Sequence, residues 1–97
     1  MYKLFFRNEK NILKTIKRYP KKVKKQIKEA FEDLKKNPIT PNCISCSRMI
    51  SYDCYKTKVG NYRIIYDINE VKKQIEIIMI GDRQYIYKEF KRNYKTQ

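Results

Sequence analysis

Four basic residues and a tyrosine in the C-terminal half of the chain have types and spacing that suit phosphodiester chemistry: Lys56, Lys58, Arg63, Arg83 and Tyr87. The two lysines are two residues apart in a strand-like segment, so alternation places both side chains on one face. Arg63 alternates with the apolar residues around it, and Arg83 and Tyr87 have the four-residue spacing of neighbours on a helix. We therefore expect all five groups on one face of a sheet.

Cations of this kind are typical of phosphate sites. The planar guanidinium of Arg matches phosphate oxygens, and cations around a phosphorus stabilise the charge that develops there in a transition state. The sequence contains no His, which removes the usual general base and the commonest transition-metal ligand. Any catalysis must then use Lys, Arg, Tyr or the few carboxylates, and we expect no metal and no cofactor. For the two lysines, an ordinary solvated strand face is the alternative.

The composition is that of a small and strongly basic folded protein. Twenty-four Lys and Arg against ten Asp and Glu give a net charge of +14 over 97 residues, an excess that favours an anionic partner. Hydrophobic residues make up 41% and aromatic residues 13%, enough for a core and against a disordered tail. A chain of about a hundred residues closes one hydrophobic core, so we expect a single domain over residues 1–97.

The sequence shows neither a membrane span nor a signal peptide, and this predicts where the protein is located. No uncharged run approaches the roughly 20 residues of a membrane span, and the N-terminal residues lack the apolar region of a signal peptide. We expect a cytoplasmic protein that contacts no membrane.

The chain has three cysteines, Cys43, Cys46 and Cys54. Their number fits neither a disulfide framework nor a complete metal site. An odd count without a secretory signal argues against disulfides. A structural zinc site needs four ligands, and the chain offers three sulfurs and no imidazole. We interpret them as inert loop thiols.

Apolar periodicity predicts the element order β-α-α-β-β-β-α. The spacing is helical in the first third of the chain and alternates after a loop at 39–50. The expected elements are a strand at 2–6, helices at about 9–18 and from Pro20 to Asn37, strands at 53–59, 62–68 and 73–80, and a helix at 83–94. The fold class is therefore α+β, with a small antiparallel sheet packed against a helical hairpin.

Further cations lie outside the sheet. Lys22, Lys25 and Lys28 belong to the second predicted helix, and Arg48 lies in the loop that follows it. We take these four as candidate RNA-binding residues, because phosphate neutralisation supplies most of the affinity for a nucleic acid. A solvated helix face is the alternative for the lysines.

Three strings of residues stand out in the sequence: Leu34-Lys35-Lys36-Asn37-Pro38, Tyr55-Lys56-Thr57-Lys58-Val59-Gly60-Asn61-Tyr62-Arg63-Ile64-Ile65-Tyr66, and Gly81-Asp82-Arg83 followed by Ile86-Tyr87. Together they resemble the RelE/ParE toxin superfamily, and the likeness covers nearly the whole chain. Within the superfamily, the basic residues and the tyrosine at the five site positions favour the RelE branch. The ParE branch, which poisons DNA gyrase, generally lacks this set.

The resemblance implies a toxin of a type II toxin–antitoxin pair that binds the ribosomal A site, contacts ribosomal RNA and cuts messenger RNA. Its expected partner is a RelB-like antitoxin. The ribose 2′-OH would attack the adjacent phosphorus, with Tyr87, Lys56 or Lys58 as general base. Arg83 would assist the leaving 5′-oxygen, and Arg63 would clamp the phosphate.

Two other functions fit the same sequence. One is a ParE-like toxin that acts on DNA gyrase by protein binding, without cleaving RNA. The other is an RNA-binding module that uses the same cations but has no catalytic activity.

Overall fold

The computed structural model describes residues 1–38, 47–48, 55–86 and 88, and it has the predicted α+β architecture. Residues 83–86 and 88 are helical. The remaining elements are β1 (Lys3–Phe6), α1 (Glu9–Lys17), α2 (Lys21–Lys36), β2 (Ser47–Arg48), β3 (Tyr55–Val59), β4 (Tyr62–Asn69) and β5 (Gln74–Asp82). Among the described helices, none has both the length and the apolar character needed to cross a membrane.

The first helix has favourable residues at both ends. The side chain of Asn8 accepts a hydrogen bond from the backbone N–H of Asn11 at 3.4 Å, which satisfies one of the free donors at a helix N-terminus. Glu9 lies in the first turn and Lys14 and Lys17 in the last, so the charges complement the helix dipole.

The second helix begins differently. Three residues, 18–20, separate it from α1, and its N-cap Pro20 makes no side-chain hydrogen bond. Its first turn has no acidic residue, so no negative charge stabilises the positive end of the helix dipole. The buried residues Ile27 and Leu34 are two turns apart on one stripe, and burial of that stripe against the sheet holds the helix in place.

The sheet has the strand order β1-β5-β4-β3-β2. Strands β3, β4 and β5 form the predicted antiparallel meander. β1 extends it at one edge by pairing parallel with β5, with Leu4 opposite Ile75 and Phe6 opposite Ile77. Parallel pairing needs a long connection, and the one from β1 to β5 contains both helices and the strands β2, β3 and β4.

Part of the predicted loop at 39–50 is a strand instead. Ser47 and Arg48 pair antiparallel with Lys56 and Tyr55 of β3. This strand is held by backbone hydrogen bonds at the sheet edge, and two residues are too few to show an alternating pattern. The rest of this stretch and the three cysteines lie outside the described residues. The same holds for residues 53 and 54 of the expected strand 53–59 and for residues 87 and 89–94 of the expected last helix.

Both helices pack on one face of the sheet and form the main hydrophobic core. From the sheet it contains Val59, Ile64, Tyr66, Ile75, Ile77 and Ile80, and from the helices Ile12, Ile27 and Leu34. The hydroxyl of the fully buried Tyr66 donates to the carbonyl of Pro38 at 2.8 Å, which ties the end of α2 to the central strand.

A one-residue irregularity in β5 changes which side chains reach this core. Ile65 pairs with Met79 but its neighbour Tyr66 pairs with Ile77, so Ile78 is an extra residue in β5. Such a bulge shifts the alternation of the strand beyond it. Ile80 therefore joins the core together with Ile77, and Gly81 moves to the opposite face.

Candidate functional site

One face of the sheet brings three of the predicted site residues together. It points away from α1 and α2 and is called here the open face because neither of these helices covers it, although Ile65 and Arg63 on it are buried. Lys58 lies directly opposite Arg63, and Arg63 lies directly opposite Gly81. Lys56 is in the next row, opposite Ile65. Directly opposed residues have Cβ atoms about 4.5–5.5 Å apart, so these cations form one cluster.

The hairpin turn Gly60–Asn61 positions both predicted arginines. Nη1 of Arg63 donates hydrogen bonds to the carbonyls of Gly60 and Tyr62, each at 2.9 Å. The backbone N–H of Arg83 donates to the carbonyl of Asn61 at 3.0 Å. Three successive carbonyls thus hold one guanidinium and the start of the last helical segment.

The conformation of this turn depends on its glycine. Gly60 has a φ of +58°, while Asn61 is not in the left-handed region, the pattern of a type II′ turn. Glycine adopts a positive φ without the steric cost that a Cβ brings. The glycine therefore fixes the direction of the carbonyls to which the arginines are bound.

Arg63 is held in a way that suits a phosphate ligand. The residue is only 7% exposed, and Nη1 is used by the turn. Its Nε and Nη2 groups form no hydrogen bond with any described residue, and together they are the edge of a guanidinium that binds a phosphate in a bidentate manner. An anchored guanidinium loses little freedom when it binds.

Arg83 is exposed and begins the helical segment after β5. Asp82, just before it, accepts a hydrogen bond from the backbone N–H of Tyr85 at 2.9 Å, as an N-cap does. Tyr87 lies outside the described residues, so its membership of the cluster stays a prediction.

Tyr85 packs its ring over Gly81. A Cβ atom at Gly81 would lie 2.6 Å from Cδ2 of Tyr85 and 3.1 Å from Cγ1 of Ile86. Because Gly81 is directly opposite Arg63, the space left by its missing Cβ lies on the open face. The helical segment therefore folds back over the row that contains Lys58 and Arg63.

A tyrosine pair brings the connection between α1 and α2 to the same end of the molecule. The ring centroids of Tyr19 and Tyr62 are 4.5 Å apart, and Tyr62 follows the hairpin turn. Burial raises the pKa of Tyr19 to about 12, with smaller contributions from Tyr62, Asp82 and Tyr85. Tyr19 therefore remains neutral at any physiological pH.

A second basic surface lies on the helices. Residues 10–28 contain nine basic residues and no acidic one. The predicted RNA-binding residues Lys22, Lys25 and Lys28 are exposed there, in the helical layer and not on the open face. Arg48 is placed by its backbone opposite Tyr55, and its side chain is outside the described set.

The far end of the open face is acidic. Asp67 and Glu76 line a depression of about 290 Å³ together with Phe5, Asn69 and Gln74. Glu76 also forms an ion pair with Arg7 at 3.0 Å. Carboxylates repel phosphate, so this end of the face is less favourable to an anion than the end near the hairpin turn.

Several solved structures similar to this chain are toxins of toxin–antitoxin pairs. The RelE–RelB complex from Pyrococcus horikoshii matches with a TM-score of 0.73 and 24% identity, over 84% of this chain and 94% of that one. The isolated RelE toxin of Escherichia coli matches with a TM-score of 0.66 and 25% identity, over 96% and 98%. The RelB–RelE complex of Methanococcus jannaschii gives 0.68 and 25%, over 89% and 98%.

The sequence itself matches a family model. The model described as "ParE toxin of type II toxin-antitoxin system, parDE" covers residues 7–87. No curated protein matches significantly. The fold and the basic open face define a small toxin of the RelE/ParE superfamily, as predicted. The chain belongs to the ParE toxin family of type II toxin–antitoxin systems.

Two features of the site were not predicted from the sequence. Gly81 had no assigned role, although an isolated glycine within a strand often marks a close approach of other groups. Tyr19 is one of nine tyrosines in the chain, and nothing in a single sequence pairs it with Tyr62.

We expect Gly81→Ala to destabilise the protein, by about 1–3 kcal/mol, because the new methyl group collides with the ring of Tyr85. Urea unfolding of the single variants and of Gly81→Ala/Tyr85→Ala measures the coupling. The double variant should lose less stability than the two single variants together. Strictly additive losses would contradict the contact.

We expect the stability of the wild type to fall relative to Tyr19→Phe as the pH rises from about 10 to 12. The pKa of Tyr19 is about 12 in the folded state and about 10 when unfolded, so the unfolded state loses its proton first and unfolding becomes easier. Urea midpoints at several pH values measure this difference. The lysines titrate in both proteins and cancel, and parallel pH profiles would refute the assignment.

Proposed function

We propose that this toxin is a metal-independent endoribonuclease that cleaves messenger RNA in the ribosomal A site, and so inhibits translation in the cytoplasm. The observation that carries the proposal is the anchored Arg63, with Lys58 directly opposite and Arg83 bound to the same hairpin turn. The guanidinium of Arg63 is anchored, and its Nε and Nη2 form no hydrogen bond with a described residue. Such a group beside other cations suits a phosphate that gains charge during reaction.

In the proposed reaction the 2′-oxygen of a ribose attacks the adjacent phosphorus and the bond from phosphorus to the 5′-oxygen breaks. The products are a 2′,3′-cyclic phosphate and a 5′-OH. Arg63 binds the non-bridging oxygens, and Arg83 stabilises the leaving oxygen. The proton of the 2′-OH passes to Lys56, Lys58 or Tyr87, and a proton is returned to the 5′-oxygen.

The basic surface on the helices supports the part of the proposal in which the toxin binds ribosomal RNA. Its nine cations lie on the helical layer, whereas the reacting strand would occupy the open face. The Tyr19–Tyr62 contact joins the two surfaces at one end. Ribosomal RNA bound along the helices, including Lys22, Lys25 and Lys28, would then orient the open face towards messenger RNA.

A RelB-like antitoxin is the proposed protein partner. Two of the three solved structures compared above are complexes of RelE with RelB. A partner with acidic segments would complement a toxin of charge +14, and such an encounter is fast and weakened by salt.

A toxin that binds DNA gyrase without cutting RNA is the second candidate. The description of the matching family model, which names the ParE toxin, favours it. In that case the cations of the open face would have no catalytic role, and their loss would leave toxicity intact. The non-catalytic RNA-binding module would bind RNA without producing new RNA ends.

We expect Arg83→Ala and Arg63→Ala each to reduce ribosome-dependent cleavage by roughly 10²- to 10³-fold, the effect of losing one donor to a transition state. Primer extension on a messenger RNA in a purified translation reaction, with and without ribosomes, measures it. Arg63→Lys, which keeps the charge but loses the planar fork, should also fail.

The control is Arg7→Ala, which removes an arginine from the acidic end of the open face and should cleave like the wild type. If the wild type makes no cuts but remains toxic in cells, the nuclease proposal is wrong and the toxin that binds DNA gyrase is favoured.

We expect Lys22→Glu to stabilise the protein by about 0.3–1 kcal/mol while weakening ribosome binding. A glutamate in the first turn of α2 places a negative charge at the positive end of the helix dipole, which stabilises the helix. The same substitution removes a cation from the helical surface. Lys72→Glu, on the exposed turn at the other end of the sheet, makes the same change in net charge. Urea unfolding and ribosome co-sedimentation measure the two effects, and equal binding losses in both variants would contradict a specific helical surface.

A further inference from the structure

Asp82 is an acidic residue in a basic part of the molecule. The segments 55–66 and 77–88 supply the cations of the candidate site, and Asp82 is their only acidic residue. A carboxylate there repels the phosphate that the site is proposed to bind. With the described residues it forms no ion pair that would neutralise a neighbouring arginine. An acid at this position therefore needs another explanation.

The carboxylate of Asp82 is bound by the backbone of the segment that follows it. Its Oδ1 atom accepts a hydrogen bond from the backbone N–H of Tyr85 at 2.9 Å, three residues further on, as the side chain of a helix N-cap does. Asp82 itself is the last residue of β5 and pairs with Tyr62. The carboxylate thus joins the last helical segment to the hydrogen-bonded strands of the sheet.

Arg83 lies between two such attachments. Its own N–H donates to the carbonyl of Asn61 at 3.0 Å, and the bond from Tyr85 to Asp82 closes the turn that contains Arg83. The side chain of Arg83 is exposed, and it forms no hydrogen bond or ion pair with a described residue. Its direction is therefore set by the backbone, whereas the guanidinium of Arg63 is bound directly by the hairpin turn.

We propose that Asp82 is a positioning residue for Arg83. By capping the last helical segment, its carboxylate holds the backbone of Arg83 in the orientation that directs the guanidinium to the phosphate bound by Arg63. The proposal rests on the proposed RNA-cleaving function. The cap needs a hydrogen-bond acceptor of the right length and not a negative charge. Asparagine has that acceptor, while glutamate has the charge but is not a favoured N-cap residue.

Three substitutions separate the cap from the charge. Asp82→Ala removes both, Asp82→Asn keeps the acceptor, and Asp82→Glu keeps the charge. The assay is cleavage of messenger RNA on purified ribosomes, followed by primer extension at increasing ribosome concentration. It gives kcat and KM for each variant.

We expect Asp82→Ala to lower kcat by roughly 3- to 30-fold, since a lost N-cap shifts the equilibrium between an ordered and a frayed segment by about that ratio. KM should not rise, because no cation is lost. Asp82→Asn should have the kcat of the wild type, and Asp82→Glu should be as slow as Asp82→Ala. A wild-type kcat in Asp82→Ala, or an Asp82→Asn as slow as Asp82→Ala, would overturn the proposal.

Combination with Arg83→Ala tests whether Asp82 acts through Arg83. We expect Asp82→Ala to slow the wild type but not Arg83→Ala, because the second protein has no guanidinium left to position. Equal losses in the two backgrounds would refute the positioning role, since they would show an effect on the fold as a whole.

Asn8→Ala is the matched control. It removes the N-cap of α1, the same kind of hydrogen bond, outside the candidate site. Urea unfolding should show a loss of stability in both Asn8→Ala and Asp82→Ala, whereas only Asp82→Ala should lose kcat. A similar fall of kcat in Asn8→Ala would attribute the effect to stability alone and contradict the proposal.

The hydrogen bond also has a readout that does not depend on activity. In hydrogen exchange followed by NMR, the backbone amide of Tyr85 should lose protection in Asp82→Ala and keep it in Asp82→Asn. Unchanged protection in Asp82→Ala would show that the carboxylate does not hold the segment, and the proposal would then be wrong.

The two proposals fail in different ways. If the wild type makes no cuts, the proposed nuclease is wrong, and the positioning role is wrong with it. If the wild type cuts and all three Asp82 variants cut at its rate, the nuclease stands and the positioning role is wrong.

Discussion

The extra residue in β5 determines both the core and the candidate site. In an unbroken strand, Gly81 would share a face with Ile75 and Ile77 and would point towards the helices. The bulge at Ile78 sends Ile80 into the core and places Gly81 opposite Arg63. Burial of isoleucine against the helices therefore stabilises the register that the open face requires, and the same backbone feature serves folding and function.

Backbone carbonyls, more than side chains, organise the cationic end of the sheet. The turn at Gly60–Asn61 uses three consecutive carbonyls to hold Arg63 and the beginning of the segment at Arg83. Because these hydrogen bonds form within the protein, the groups bound to the turn are oriented before any ligand arrives. The cost of orienting the guanidinium is met when the protein folds.

The distribution of charge limits the stability of the free protein. A net charge of +14 on a small domain repels itself, and the first turn of α2 adds lysines at the positive end of a helix dipole. The apolar stripe of Ile27 and Leu34 compensates by burial. An anionic partner relieves this repulsion when it binds, which suits a toxin whose family works in pairs with antitoxins.

The sequence by itself determined the element types, the helical hairpin and the meander, because apolar periodicity is a local property and each of these elements buries one face. Alternation also placed Lys56, Lys58 and Arg63 on one face correctly, since no bulge interrupts β3 or the start of β4. The superfamily followed from a few strings of residues, which the fold and the family model confirmed.

Only the tertiary structure decided the parallel pairing of β1 with β5, the short strand at Ser47–Arg48 and the face on which Gly81 lies. These depend on backbone hydrogen bonds between distant segments and on a one-residue bulge, neither of which leaves a periodic signal in a sequence. Only the tertiary structure also separates the lysines of the helices from the open face. A count of charges in the sequence does not say on which layer of the fold each charge lies.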